Sequence, residues 1–202
     1  MLRLDHLAVV AETLQEGVSY VEETLGARMV AGGKHPVMGT HNQLMGLANG
    51  LYLEVIAIDP AVEAPPHPRW FDLDRFSGQP RIGNWIARTE DLHGELRSLT
   101  PQAGEPLALN RGDLSWKMAV PTDGVLPFDG AFPAIIEWEG QAHPVSRLPQ
   151  SGLQLLSFEV HHPAVEQLQM LALADPIVSF VLAEKPGFRA VFDTPNGERN
   201  LS

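Results

Sequence analysis

The sequence predicts an α+β fold built from repeated β-α-β-β-β modules. Three observations predict it. Strand-like stretches open at residues 2, 82 and 153, and each is followed by a short helical stripe and then by further strands. Gly, Pro, Asn and Asp clusters divide those strands. The strands that open and close the first unit, LRLDHLAVV and LYLEVIAID, each carry one potential metal ligand among apolar residues. Side chains alternate across a strand, so His6 and Ala8 share one face, and Tyr52, Glu54 and Ile56 share another. One face of each strand can pack on a helix while the other offers a His or a Glu. A sheet with a working concave side is expected.

In the first unit, Thr13 and Glu16 form a capping box, and Leu14, Val18, Val21 and Leu25 make one apolar helical stripe. Gly26 stands where a helix C-terminal cap is expected. Three strands follow, ending in the Glu54 strand. The segment 61–79 is rich in Pro and carries Trp70, Phe71 and Phe76, so it reads as an irregular connection held against the body by its rings. In the second unit GNWIAR is a strand, Asp91 caps, and Leu92, Leu96 and Leu99 mark a short helix ending before Pro101. EPLALNR, DLSWKMAVP and FPAIIEWEG are its further strands. In the third, LQLLSFEV is a strand, Pro163 starts a helix with the stripe Val165, Leu168 and Leu171, and IVSFVLAE and FRAVFDT close the chain with NGERNLS. The first module spans 1–60, the connection 61–81, the second module 82–140 and the third, a βαββ(β) unit, 151–202. All are expected to pack as one compact unit.

Composition bounds the function. The 202 residues carry 44% hydrophobic and 19% charged residues, ordinary for a soluble globular protein, and no apolar run reaches the ~18–20 residues of a membrane span. The N-terminal stretch meets an acid too early for a secretory signal, and a cytoplasmic location is expected. With no cysteine, disulfides, thiolate nucleophiles and Cys-type zinc sites are excluded. A formal charge of −11 argues against nucleic acid and anionic membranes as partners. A small-molecule substrate or ligand is the expected partner, and a homodimer is compatible with it. No Gly-x-Gly-x-x-Gly, Walker-type or Gly-x-Ser-x-Gly stretch is present.

A neutral imidazole and a carboxylate, here His6 and Glu54, suit Zn²⁺, Mn²⁺, Fe²⁺ or Ni²⁺, usually with further ligands. Glu54 could serve instead as a base, and both could equally be polar residues lining a metal-free cleft. His35 could supply a third ligand or an acid/base group, while Thr40 and Asn42 share strand parity and could bond a substrate oxygen. His41 has the opposite parity. Trp85, Trp116 and Trp138 could wall an apolar pocket or pack in the core. Arg111 and Lys117 could bind an anionic group, although solvated charge is the commoner role. His143-Pro144 reads as a turn, and His162 as a cap for the third helix.

LDHLAVV, then GGKHPVMGTHNQLMGL, NGLYLEVIAID and PAIIEW followed by HP, resembles a glyoxalase-like domain of the vicinal oxygen chelate (glyoxalase, bleomycin resistance, dioxygenase) superfamily. The resemblance implies βαβββ modules paired into an open, curled mixed sheet around a cleft, with the helices outside. It also implies a divalent metal held by the first and last strands of paired modules. His6 and Glu54 match two ligand positions, module alignment sets Asn84 opposite His6, and Ile136 or Glu137 falls near the fourth. The metal candidates are therefore His6 and Glu54, the catalytic candidates Glu54 and His35, and the substrate-binding candidates Thr40, Asn42, Tyr52, Asn84 and Trp116. Two functions are implied. One is metal-assisted lyase, isomerase or dioxygenase chemistry on a small oxygenated molecule. The other is metal-free sequestration of a ligand, as in bleomycin resistance.

Overall fold

The computed structural model describes residues 1–99, 103–171 and 173–202. The first module comprises β1 (Arg3–Val10), α1 (Leu14–Leu25), β2 (Val30–His35), β3 (Thr40–Gly46) and β4 (Tyr52–Ile58). The second comprises β5 (Arg81–Arg88), α2 (Leu92–Ser98), β6 (Glu105–Arg111), β7 (Leu114–Val120) and β8 (Ala134–Glu139). The third comprises β9 (Gln154–His162), α3 (Val165–Leu168), β10 (Val178–Leu182), β11 (Gly187–Asp193) and β12 (Arg199–Leu201).

The first two modules make one mixed sheet of eight strands, ordered β2-β3-β4-β1-β5-β8-β7-β6. β1 joins them, running parallel to β4 on one side and antiparallel to β5 on the other. None of the third module's strands joins that sheet, and an isolated parallel bridge links Leu2 to Leu173. The module builds its own four-stranded sheet, β10-β9-β11-β12, which answers a pairing that sequence alone left open.

The helix signals act as read. Thr13 Oγ1 accepts the Glu16 N–H at 3.2 Å, and Gly26 ends α1 in the left-handed region at φ 73°. Gly17 lets α1 settle on β4, since a Cβ there would lie 2.5 Å from a Val55 methyl. Two elements are shorter than expected. α3 covers one turn only, and Leu171 is buried beyond its end. α2 stops at Ser98, and the Pro101 stop lies outside the described residues.

Strand alternation sorts the apolar residues onto two sides of the large sheet. On the convex side Leu7, Val9, Leu53, Val55 and Trp85 pack with Val18, Val21 and Leu25 of α1 and with Phe158, Val160 and Phe192 of the small sheet. Trp85 is thus core, not pocket wall. It is fully buried, donates its Nε1–H to the Ala131 carbonyl at 2.9 Å, and packs against Phe158 and Phe180. On the concave side Ala8, Val10, Ile56, Ile86 and Ile136 meet Trp116 and Met118, and the connection adds Trp70, Phe71 and Leu73. The connection is therefore packed into the hollow. The carboxylate of Asp74 holds the backbone N–H and guanidinium of Arg69, and the Asp72 N–H donates to the Gly124 carbonyl. Among the described residues no helix is long and apolar enough to cross a membrane.

Trp85 spans both sheets, so removing its ring should loosen the third module from the first two. Trp85→Ala should cost about 3–5 kcal/mol in urea denaturation. A loss below about 1 kcal/mol would mean that the small sheet is held elsewhere.

Candidate functional site

β1 is interrupted at Asp5. Leu4 pairs with Ala87 but His6 pairs with Ile86, so one residue is extra and the strand bulges. The bulge overrides simple alternation and brings the Asp5 and His6 side chains together. His6 Nδ1 lies 2.6 Å from Asp5 Oδ1. The other oxygen of Asp5 accepts from Trp138 Nε1 at 3.2 Å and from His143 Nε2 at 3.0 Å, with an Arg88 guanidinium nitrogen at 3.6 Å. His143 Nδ1 accepts the Val145 N–H, which places the ring's proton on Nε2, facing Asp5. His143 therefore does more than make a turn.

The Nε2 side of His6 faces the hollow. Glu54 Oε2 is 3.4 Å away and the Tyr52 hydroxyl 3.5 Å, with the Tyr52 ring stacked on the imidazole at 4.2 Å. Parallel pairing of β1 with β4 produces this meeting, because it sets His6 beside Tyr52 and Ala8 beside Glu54. Asn42, on the neighbouring β3, donates Nδ2–H to Glu54 Oε1 at 2.5 Å. Its Oδ1 accepts from the Gly33 N–H at 2.7 Å and from Arg111 Nη1 at 3.1 Å. His35 Nδ1 is 3.0 Å from the Thr40 hydroxyl, and its Nε2 is 3.3 Å from Arg111 Nη1. A guanidinium only donates, so His35 Nε2 is the acceptor and its proton sits on Nδ1, directed at Thr40.

These residues surround a small cavity of about 30 Å³, room for roughly one water molecule. Its walls are His6, His35, Asn42, Tyr52, Glu54 and Arg111, closed by Trp70, Phe71, Trp116 and Trp138. Of the residues expected from sequence, His6, His35, Asn42, Tyr52, Glu54 and Trp116 come together. Thr40 stands behind His35. Asn84 does not join them: it pairs with Ala8 across the sheet and lines a separate cavity with Arg81, Gly83 and Asp129. Asp5, Arg111, Trp70, Phe71, Trp138 and His143 complete the site.

Burial and charge set the protonation states. Burial alone would raise the Asp5 carboxyl, but hydrogen bonds from His143 and His6 outweigh it and hold the group well below the usual carboxylate range. Burial would lower His6, and Asp5 and Glu54 reverse this, so the imidazole is raised above 6.5. Glu54 is likewise opposed by burial but brought down to about 2 by His6 and Asn42. Tyr52 is pushed well above 10.0 by burial and by the two carboxylates, so it keeps its proton. His35 is lowered to about 4, chiefly by burial.

The metal centre implied by the sequence resemblance would draw donors from both modules. Among the described residues no group of three or more His, Asp or Glu side chains converges as a metal would require. His6 and Glu54 supply two donors, but Asn42 already engages Glu54. The second module faces them with Trp116, Met118 and Ile136, while Glu137 points outward and accepts the Leu92 N–H at 2.7 Å. The Arg111 cation also borders the cavity. The residues present do not fit a four-donor divalent centre.

A neutral, buried His35 makes stability fall with acid. Its folded value lies below the unfolded 6.5, so under pH 6.5 the unfolded chain binds a proton that the folded chain refuses. From pH 6.5 to 5 it should contribute a loss of about 2 kcal/mol. His6, shifted upward, stays protonated in the folded chain there while its unfolded form is still taking up a proton, so it adds a smaller slope of opposite sign. Urea denaturation should show His35→Gln losing less over this window; an identical slope would mean that His35 titrates freely.

A family profile for the glyoxalase-like domain matches residues 4–174. A hypothetical protein from Staphylococcus aureus shares the fold, with a TM-score of 0.67 at 14% identity over 93% of this chain and 88% of that one. Methylmalonyl-CoA epimerase from Mycobacterium tuberculosis aligns with a TM-score of 0.44 at 19% identity, covering 69% of this chain and 88% of that one. The Streptomyces coelicolor methylmalonyl-CoA epimerase, in complex with 2-nitronate-propionyl-CoA, gives 0.44 at 15% identity over 68% and 98% of the two chains. No curated protein matches. With the profile spanning most of its length, the chain belongs to the glyoxalase-like domain family.

Proposed function

We propose that the protein is an enzyme that moves a proton on a small oxygenated organic molecule, an isomerase-type reaction. The observation that carries this reading is the buried line Asp5–His6–Glu54, which ends at the cavity. An imidazole between two carboxylates is a proton carrier, and burial strengthens its coupling to both.

In this reading a substrate carbonyl oxygen enters between His6 Nε2 and Glu54. Glu54 then loses the partner that depresses it most and becomes a better base. Its carboxylate takes a proton from the carbon next to the carbonyl. The C–H electron pair moves into a new C=C bond, and the carbonyl π pair moves onto oxygen, where the His6 N–H stabilises it. Return of a proton to the opposite face of the enolate carbon inverts that centre and completes the isomerisation, whereas return to the same face gives only hydrogen exchange with solvent. Asp5 keeps His6 protonated and oriented, Asn42 keeps Glu54 in place, and the aromatic walls exclude water. Tyr52 supports the imidazole through its stacked ring. His35 and Thr40 frame the far side as a neutral pair. Entry of any substrate requires Trp70 and Phe71 to shift, because the cavity holds only about 30 Å³.

A second reading, sequestration without turnover, is favoured by the aromatic lining of Tyr52, Trp70, Phe71, Trp116 and Trp138. Proton NMR in D₂O separates the two. Wild-type protein should speed exchange of the α-hydrogens of small oxo compounds such as 2-oxobutanoate or hydroxyacetone. Glu54→Gln and His6→Gln should each slow exchange by about 10²–10⁴-fold. Saturable binding with exchange no faster than buffer would favour sequestration.

A further inference from the structure

Arg111 ends β6, the outer strand of the second module, and its side chain crosses to β2, the outer strand of the first. The crossing depends on a glycine. A Cβ on Gly33 would stand 2.5 Å from Arg111 Cδ, so the guanidinium stem lies where any other side chain would begin. Gly32 gives room in the same way to the Asn42 amide, whose Oδ1 would lie 2.0 Å from a Cβ there. The Gly-Gly pair thus allows both polar groups to reach the cavity.

Three properties of this corner point to a missing acceptor. First, Arg111 makes no ion pair among the described residues, although it borders the cavity. Its cavity-side contacts are to Asn42 Oδ1 and His35 Nε2, both uncharged acceptors. Second, Asn42 stands between Arg111 and Glu54, accepting from the cation and donating to the carboxylate. That arrangement keeps the nearest protein anion from neutralising the guanidinium. Third, the indole N–H groups of Trp70 and Trp116 are buried without an acceptor among the described residues, and both rings line the same cavity. A buried donor left unpaired is costly, and a charged donor more so.

We infer that Arg111, with the indole N–H groups of Trp70 and Trp116, forms an anion-binding subsite, and that the ligand of this cavity is a small carboxylic acid bound as its carboxylate. A carboxylate offers several lone pairs in one plane to a guanidinium fork and to neighbouring N–H donors. Its seat beside Arg111 opens with the same shift of Trp70 and Phe71 that substrate entry requires, because the cavity holds only about 30 Å³. The assignment names the substrate class of the proton-transfer site and rests on that reading for the chemistry, but the binding can be read without turnover.

The probes are 2-oxobutanoate and its uncharged isostere 2-oxobutanamide, titrated into the full chain by calorimetry. The wild type should bind the acid about 10- to 100-fold more tightly than the amide. Arg111→Gln should remove that preference. Asn42→Asp should remove it too by giving Arg111 a carboxylate of its own, and it guards against a folding defect at the first position. Equal affinity for acid and amide in the wild type, or an undiminished preference in both variants, would overturn the subsite. Inorganic phosphate is the third probe: failure to displace the acid supports a carboxylate, and tighter binding than the acid overturns that choice. Acid-selective binding without α-hydrogen exchange would leave the subsite standing and remove the proton-transfer reading. Exchange on the amide as fast as on the acid would do the reverse.

Discussion

A carboxylate sealed from solvent beneath a β-bulge holds this site together. Asp5 is wholly buried, and an unpaired anion there would be destabilising by several kcal/mol. It persists because His6, His143 and Trp138 bond it and Arg88 lies close by. Those partners come from β1, β5, β8 and the segment after β8, so the join between the two modules is also the support of the imidazole. Fixing His6 Nδ1 in this way leaves Nε2 as the only ring nitrogen facing the hollow. The Glu54 carboxylate, the Tyr52 ring and the Asn42 amide are then placed relative to that one atom.

The sheet has two cores, and only one is purely structural. The convex core joins α1, the large sheet and the small third sheet through Trp85, Phe158 and Phe192. The concave core is lined by residues of both modules and filled by Trp70, Phe71 and Leu73 from the connection. Phe71 and Asp72 both sit in the left-handed region, at φ 60° and 55°, which is strained for residues with a Cβ. The segment that closes the cavity is thus held away from its own preferred backbone by packing and by the Arg69–Asp74 pair.

The convergence of His6 and Glu54 was legible in the sequence because from His6 onward β1 alternates regularly, as β4 does, and parity there decides the face. The same rule hid Asp5. Adjacent to His6, it should point away, and a bulge of one residue leaves no mark in the hydrophobic pattern. For Arg111, anion binding and solvated charge both stood open in the sequence, because its place beside the cavity arises at a seam between outer strands far apart in the chain. The Gly32-Gly33 pair was the available signal, two small residues inside a strand where close approach is the usual reason. Asn84 was matched to His6 by aligning the modules through their helix caps, but such a match does not say which cavity a residue lines, and the β1–β5 register sets Asn84 beside Ala8 and at a separate cavity. The choice between Ile136 and Glu137 needed the same information. Aromatic residues of the connection were recognised as packed, yet nothing in their order showed that they cover the site.

Nitrogen-15 NMR of labelled histidine, applied to His6, tests the central claim most directly. The account predicts an imidazolium that keeps both protons above pH 6.5, with an Nδ1–H shielded from solvent exchange and shifted downfield by its bond to Asp5. A His6 ring that loses its proton at the pH of an ordinary solvent-exposed histidine, with both nitrogens in fast exchange with water, would contradict it.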